Sequence, residues 1–183
     1  IRDYDVTITA NSEKQGKVSF EEVYETFQRR GLEDHFYLTK MSITGRANNS
    51  VFSFRTNNPK TMDSARDGCL EFDEIHQFED DKAVKVQRSG LGKIAHARTF
   101  YNGTNGYVRE GFYDKLIEKS MQILNGEVDD FRLFPFICKL DSADEVDDMK
   151  NWPKANPMLD ESTPYAKRLL ARTKADYDDL ELE

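Results

Sequence analysis

The sequence predicts an α/β fold with a mainly parallel sheet, and three observations predict it. Tyr4–Ala10 alternates apolar and polar residues, and Asn11-Ser12 follows at once with a helix start, so strand, short turn and helix run together. Gly68–Asp80 is a short apolar run that stops in the adjacent carboxylates Asp73 and Glu74 before a helical segment at Lys82–Arg88. His96–Tyr101 is a further apolar run that stops in the glycine turn Asn102-Gly103-Thr104-Asn105-Gly106 before another helix. Strands separated by helices pair in parallel. Cys69–Asp73 and His96–Tyr101 each end in a polar turn, so they are expected to be adjacent central strands whose turns face a ligand.

Each remaining element has a local reason. Ser12 caps a helix from Glu13 to about Gln28, with Val18, Val23, Tyr24 and Phe27 on one face and Gly31 placed to end it. Phe36–Ile43 and Val51–Arg55 are rich in strand formers and are separated by Gly45–Ser50, which predicts a hairpin or two adjacent strands. Asn57–Asp67 is polar, contains Pro59 and reads as an exposed loop. Leu116, Ile117, Met121 and Leu124 form one face of a helix over Phe112–Leu124, which Asn125-Gly126 terminates. Phe131–Leu140 is the most apolar stretch and predicts a strand, with Pro135 limiting its pairing on one side. Pro164–Tyr177 predicts a final helix ahead of an acidic tail.

Composition removes several classes of function. Of 183 residues, 38% are hydrophobic and 33% charged, which is the balance of a charge-rich folded domain. No window of about 18 apolar residues is present, so no spanning helix is expected, and no secretory leader is visible. Cys69 and Cys138 lie in apolar runs far apart and read as buried thiols; His35, His76 and His96 match no zinc spacing. The net charge of −8 argues against a surface that grips DNA everywhere. Lys82, Lys85, Arg88, Lys93 and Arg98 form a local basic stretch, either a solvated helix face or a surface for DNA or a phosphate. Asp141–Asp148 holds five carboxylates with no calcium-loop spacing and reads as a solvated loop.

The residues with the clearest chemistry are Asp73 and Glu74. At the carboxyl edge of an α/β sheet, one carboxylate can hold Mg²⁺ while the next orients or deprotonates a water. The other reading is that the pair caps a helix starting near Ile75. Glu71 counts against the first reading, because a central buried strand should not carry a charge there.

Taken together, the segments resemble the large subunit of tailed-phage terminases, the ATP-driven DNA-packaging motor, in the later part of its ATPase domain. The resemblance rests on Arg66-Asp67-Gly68, Phe72-Asp73-Glu74-Ile75-His76, Gly106-Tyr107-Val108-Arg109-Glu110-Gly111 and Trp152-Pro153-Lys154-Ala155-Asn156-Pro157. Thr9-Ala10-Asn11-Ser12-Glu13-Lys14-Gln15 resembles the strand-to-helix turn that follows the phosphate-loop helix in that family. The resemblance implies a partial P-loop NTPase-like (RecA/ASCE-type) three-layer sandwich. It implies Asp73 as the Walker B metal ligand, Glu74 as the catalytic carboxylate, and Thr104, Asn105 and Gly106 as a phosphate-contacting coupling turn. Mg²⁺ and ATP are the implied cofactors. Double-stranded DNA, a small terminase subunit and a portal are the implied partners, with an oligomeric motor in the cytoplasm of a bacterial host.

The sequence departs from that pattern at Gly103, where the family has a threonine, and at Glu71, where it has an aliphatic residue. No G-x-x-x-x-G-K-[ST] occurs in these residues, and Gly90-Leu91-Gly92-Lys93 has the wrong spacing. The expectation is therefore an ATPase-domain fragment over residues 1–160 without its phosphate loop, inactive alone. Residues 161–183 are expected to be a helical connection toward an absent nuclease domain. The competing expectation is a non-catalytic interaction domain or degenerate prophage remnant. A metal-dependent nuclease built on the acidic clusters is disfavoured, because those carboxylates crowd on loops.

Overall fold

Strand β1 (Asp5–Ala10) lies inside a six-stranded sheet with β2 (Phe36–Leu38), β3 (Ser42–Gly45), β4 (Val51–Thr56), β5 (Asp67–Phe72) and β6 (Arg98–Tyr101), in the order β2-β3-β4-β1-β5-β6. The computed structural model describes residues 1–56, 66–160 and 162–180. They form two compact units, Ile1–Gln122 and Ile123–Glu183. The pairs β4–β1, β1–β5 and β5–β6 are parallel, whereas β2–β3 and β3–β4 are antiparallel, so the sheet is mainly parallel as expected. Most of the predicted Asn57–Asp67 loop lies outside the described residues; Asp67 opens β5.

Helices cover both faces. Ile8 and Thr9 point to opposite sides of β1. Ile8 packs with Phe20 of α1 (Glu13–Arg29), whereas Thr9 Oγ1 donates to Gln87 Oε1 of α2 (Lys82–Leu91) at 2.8 Å. This is the three-layer arrangement that the resemblance implies. Ser12 accepts from Gln15 N–H and the Gln15 side chain returns to Ser12 N–H, a reciprocal cap, and Gly31 ends the helix at φ 65°. α3 (Phe112–Leu124) has the predicted bounds, and Gly126 follows at φ 74°.

Five expectations are corrected. β6 pairs with β5 as expected, but it is an edge strand among the described residues and not a central one. Phe36–Ile43 is two strands, because Thr39 Oγ1 accepts from the N–H groups of Met41 and Ser42 and turns the chain between them. On α1, Val18 is exposed, and Phe20, at 0% exposure, joins Val23, Tyr24 and Phe27 against the sheet. Cys69 and Cys138 are free but only half-buried.

The largest correction is Phe131–Leu140, which is not a strand. It is irregular, with Phe131, Phe134 and Phe136 exposed. A strand needs a neighbour for its N–H and C=O groups, and among the described residues of the second unit no other strand exists; Pro135 also removes one donor. That unit is held instead by α4 (Trp152–Ala155) and α5 (Pro164–Leu180). Trp152 stacks edge-on against Tyr177 at 5.5 Å and donates Nε1–H to Val146 O at 2.7 Å.

Candidate functional site

The carboxyl ends of β1, β5 and β6 lie side by side because all three run parallel. The ladder continues past the strands: Asp73 N–H donates to Thr9 O, Asn102 N–H to Phe72 O and Ile75 N–H to Asn102 O, at 2.9, 2.9 and 3.0 Å. These bonds set Asp73–His76 against Asn102–Gly106 on one edge. The predicted site residues Asp73, Glu74, Thr104, Asn105 and Gly106 are thus brought to the same end of the sheet.

Asp73 faces α1. Its Oδ2 accepts from Ser19 Oγ at 2.9 Å and its Oδ1 from Glu74 N–H at 3.0 Å. Glu74 stands in the left-handed region at φ 52° and ψ 40°, where a residue with a Cβ is strained by about 1 kcal/mol or more. Ile75–Gln77 is a single tight turn, and Glu74 makes no side-chain capping bond to it, so the helix-cap reading of the pair fails. The turn is held from below by Ile75 and Phe78, both fully buried against Leu70, Phe72 and Val84. Glu74 Oε2 lies 3.3 Å from His76 Nε2.

The glycine turn packs on the same histidine. Thr104 N–H donates to His76 Nδ1 at 3.2 Å. A Cβ on Gly106 would meet His76 Cδ2 at 2.6 Å, so any larger residue here must displace the imidazole. Tyr113 of α3 donates its hydroxyl to Gly103 O at 3.2 Å, and Arg109 donates to Asn105 Oδ1 at 3.2 Å.

Glu71 is half-buried on the α1 side of β5, two residues before Asp73. Burial raises its carboxyl above the usual range, the Asp73 charge raises it further, and the amide of Asn102, which donates at 2.8 Å, opposes both. The charge that is anomalous in a central strand is accommodated because the neighbouring β6 is at the edge and supplies that amide.

The other charged candidates are satisfied by local partners. Lys82 and Lys85 are exposed and paired with Asp80 and Asp81, which fits a solvated helix face. Asp141 and Glu145 both bind Lys154, and their carboxyls are held low by it. Among the described residues no three metal-ligating side chains converge. A Mg²⁺ ion needs only one or two carboxylates when waters and phosphates complete its shell. Asp73 fits that requirement: each of its oxygens accepts one hydrogen bond and keeps a lone pair, with the Ser19 hydroxyl beside it.

Ser19 reaches this edge across 54 residues without a sequence signal, and the roles of His76, Asn102 and Tyr113 come from contacts that the motifs around them do not show.

The family model of the terminase large subunit ATPase domain matches residues 4–122, which include all of these groups. The chain belongs to the terminase large subunit family. A second model, for the terminase large subunit endonuclease domain, matches residues 127–181. The terminase large subunit of Lactococcus phage p2 is 27% identical over 124 residues, which is 68% of this chain and 23% of that protein. Protein YmfN of Escherichia coli (strain K12) is 32% identical over 111 residues, 60% of this chain and 24% of that protein. The chain therefore spans about a quarter of the length of the curated relatives it matches. The HK97 bacteriophage large terminase has the same fold, with a TM-score of 0.71 over 95% of this chain and 37% of that one, at 13% identity. No helix of the described residues is long and apolar enough to cross a membrane.

Proposed function

We propose that this terminase chain supplies the hydrolytic edge of an ATP-driven motor that packages DNA into procapsids. The observation that carries the reading is the adjacency of Asp73, Glu74 and Thr104–Gly106 on one carboxyl edge of a parallel sheet, joined by backbone bonds of 2.9 and 3.0 Å. Asp73 is the residue that would hold Mg²⁺, which supplies charge compensation at the β- and γ-phosphate oxygens. Glu74 orients the attacking water and accepts its proton, and its strained backbone fixes the carboxylate ahead of the sheet edge. Thr104, Asn105 and Gly106 present a hydroxyl and successive backbone amides, groups that bind a terminal phosphate before hydrolysis and release it afterwards. The partners in this reading are double-stranded DNA, a small terminase subunit and a portal, in the cytoplasm of a bacterial host. The nucleotide module of this proposal is residues 4–122, the span of the ATPase-domain match; residues 127–181 carry the endonuclease-domain match.

The test uses the longest natural gene product that contains these residues. Glu74→Gln is expected to retain Mg·ATP binding while turnover falls ~10²–10⁴-fold, about 3–5 kcal/mol in the barrier, because glutamine keeps the shape but takes no proton. Asp73→Asn is expected to weaken Mg²⁺-dependent binding as well. Thr104→Ala is expected to spare single-turnover cleavage and reduce DNA movement. Parallel loss of binding, cleavage and packaging in all three variants would return the edge to a structural role and leave a non-catalytic interaction domain as the better account.

A further inference from the structure

Between Glu74 and the coupling turn stands His76, which touches both. We propose that His76 is a positioning residue that transmits the state of the Thr104–Gly106 turn to the Glu74 carboxylate; the proposal rests on the reading of those residues given above.

The turn decides which imidazole nitrogen of His76 carries the proton. Thr104 N–H donates to Nδ1 at 3.2 Å, and a ring nitrogen that accepts carries no proton. The neutral ring therefore holds its proton on Nε2, which stands 3.3 Å from Glu74 Oε2. One backbone amide in the turn thus selects the tautomer whose N–H lies beside the proposed catalytic carboxylate.

The ring is also confined mechanically. Its side chain is only 12% exposed, Tyr113 meets it edge-on at 6.4 Å, and Gly106 approaches so closely that an added Cβ would lie 3.0 Å from His76 Cβ and 2.6 Å from Cδ2. Tyr113 also holds the turn, through Gly103 O. A shift of the turn therefore displaces the ring, because interiors packed this tightly transmit displacement.

These contacts have a chemical consequence. With Thr104 N–H on the imidazole, the Nε2–H side of the ring stands 3.3 Å from one Glu74 oxygen and attracts it by charge. When that amide turns toward a phosphate oxygen, Nδ1 loses its donor, the tautomer is no longer selected, and the carboxylate is released toward water. The Glu74 contact, at 3.3 Å, is a close approach of unlike charge density and not an aligned hydrogen bond, which suits a contact that must break in each cycle. Coupling of this kind is reciprocal, so a change at Glu74 must be felt at Thr104.

That reciprocity is measurable without nucleotide, by nitrogen and proton NMR on this 183-residue chain in mildly alkaline buffer. The His76 ring nitrogens are expected to report the Nε2–H tautomer. Glu74→Gln is expected to shift the Thr104 amide resonance, and the shift is expected to vanish when Glu74→Gln is combined with His76→Phe, which keeps an aromatic ring against Tyr113 and Gly106. Gly106→Ala provides the second arm: it leaves both ring nitrogens intact but fills the space of the ring, and is expected to shift the Glu74 amide. A protonated Nδ1, a Thr104 response that survives His76→Phe, or a Glu74 amide unmoved by Gly106→Ala overturns the proposal. Absence of ATP turnover in the natural gene product would overturn the functional reading and leave this result standing, so the two failures are distinguishable.

Discussion

Two apolar clusters hold the first unit, and they differ in what they carry. The cluster of Ile8, Phe20, Ile43 and Phe54 is built wholly from regular elements, with Phe20 of α1 stacked on Phe52 at 5.6 Å and tilted against Phe54 at 5.2 Å. The cluster of Leu70, Phe72, Ile75, Phe78 and Val84 includes two residues, Ile75 and Phe78, from the chain reversal that follows Glu74. On the α2 side of β5 the core is therefore the floor of the site. On the α1 side the core and the site meet, among the described residues, only through side-chain bonds at the helix's first turns, from Ser19 to Asp73 and from Gln15 to Gln77.

The largest expected effects test that division directly. Phe20→Ala and Phe78→Ala each remove a fully buried ring and are expected to cost about 3–5 kcal/mol in denaturant unfolding. Phe20→Ala should leave the amide resonances of Asp73–His76 and Thr104 in place, whereas Phe78→Ala should move them. Equal disturbance by both variants would break the comparison.

A smaller effect sharpens it. Ser19→Ala removes the one side-chain bond described between α1 and Asp73 and is expected to cost about 1 kcal/mol. Its signature is a local shift at Asp73 and Glu74 with the Phe20 cluster unchanged. A change spread evenly along α1 would mean that the helix and the site are not separable.

The smallest effect concerns Glu71, on the α1 side but beyond the Phe20 cluster. Its carboxyl is raised chiefly by burial and secondly by Asp73, so the folded chain holds the proton more tightly than the unfolded chain does. The stability associated with that proton is present below the ordinary glutamate range and is lost as pH rises through the raised value. Glu71→Gln keeps an acceptor for Asn102 and is expected to be more stable than the parent at neutral pH, by a few tenths of a kcal/mol, with the gain fading as pH falls to about 4. A gain of the same size at both ends of the pH range would remove the titration as its cause.

Much of the site was legible because its signals are local. Asp73 and Glu74 end an apolar run, and the glycine turn ends the next, so two parallel strands deliver both to one edge. What was not legible depends on partners far along the chain. Ser19 reaches Asp73 across 54 residues and Thr104 reaches His76 across 28. Histidine spacing alone gives no hint that one ring would join the carboxylate to the turn.

By itself, the sequence determined the features decided within a turn or so of chain: the Ser12–Gln15 cap, the Gly31 and Gly126 stops, the bounds of α3 and the polar ends of β5 and β6. Only the tertiary structure decided which apolar segments found neighbours. Cys69–Phe72 became an interior strand because β1 and β6 lie on either side of it, while Phe131–Leu140, with a stronger apolar pattern, has no neighbouring strand among the described residues of its unit and leaves three phenylalanines exposed. Caps and turns are satisfied by groups a few residues away, whereas a strand is satisfied only by a partner the chain must bring from elsewhere.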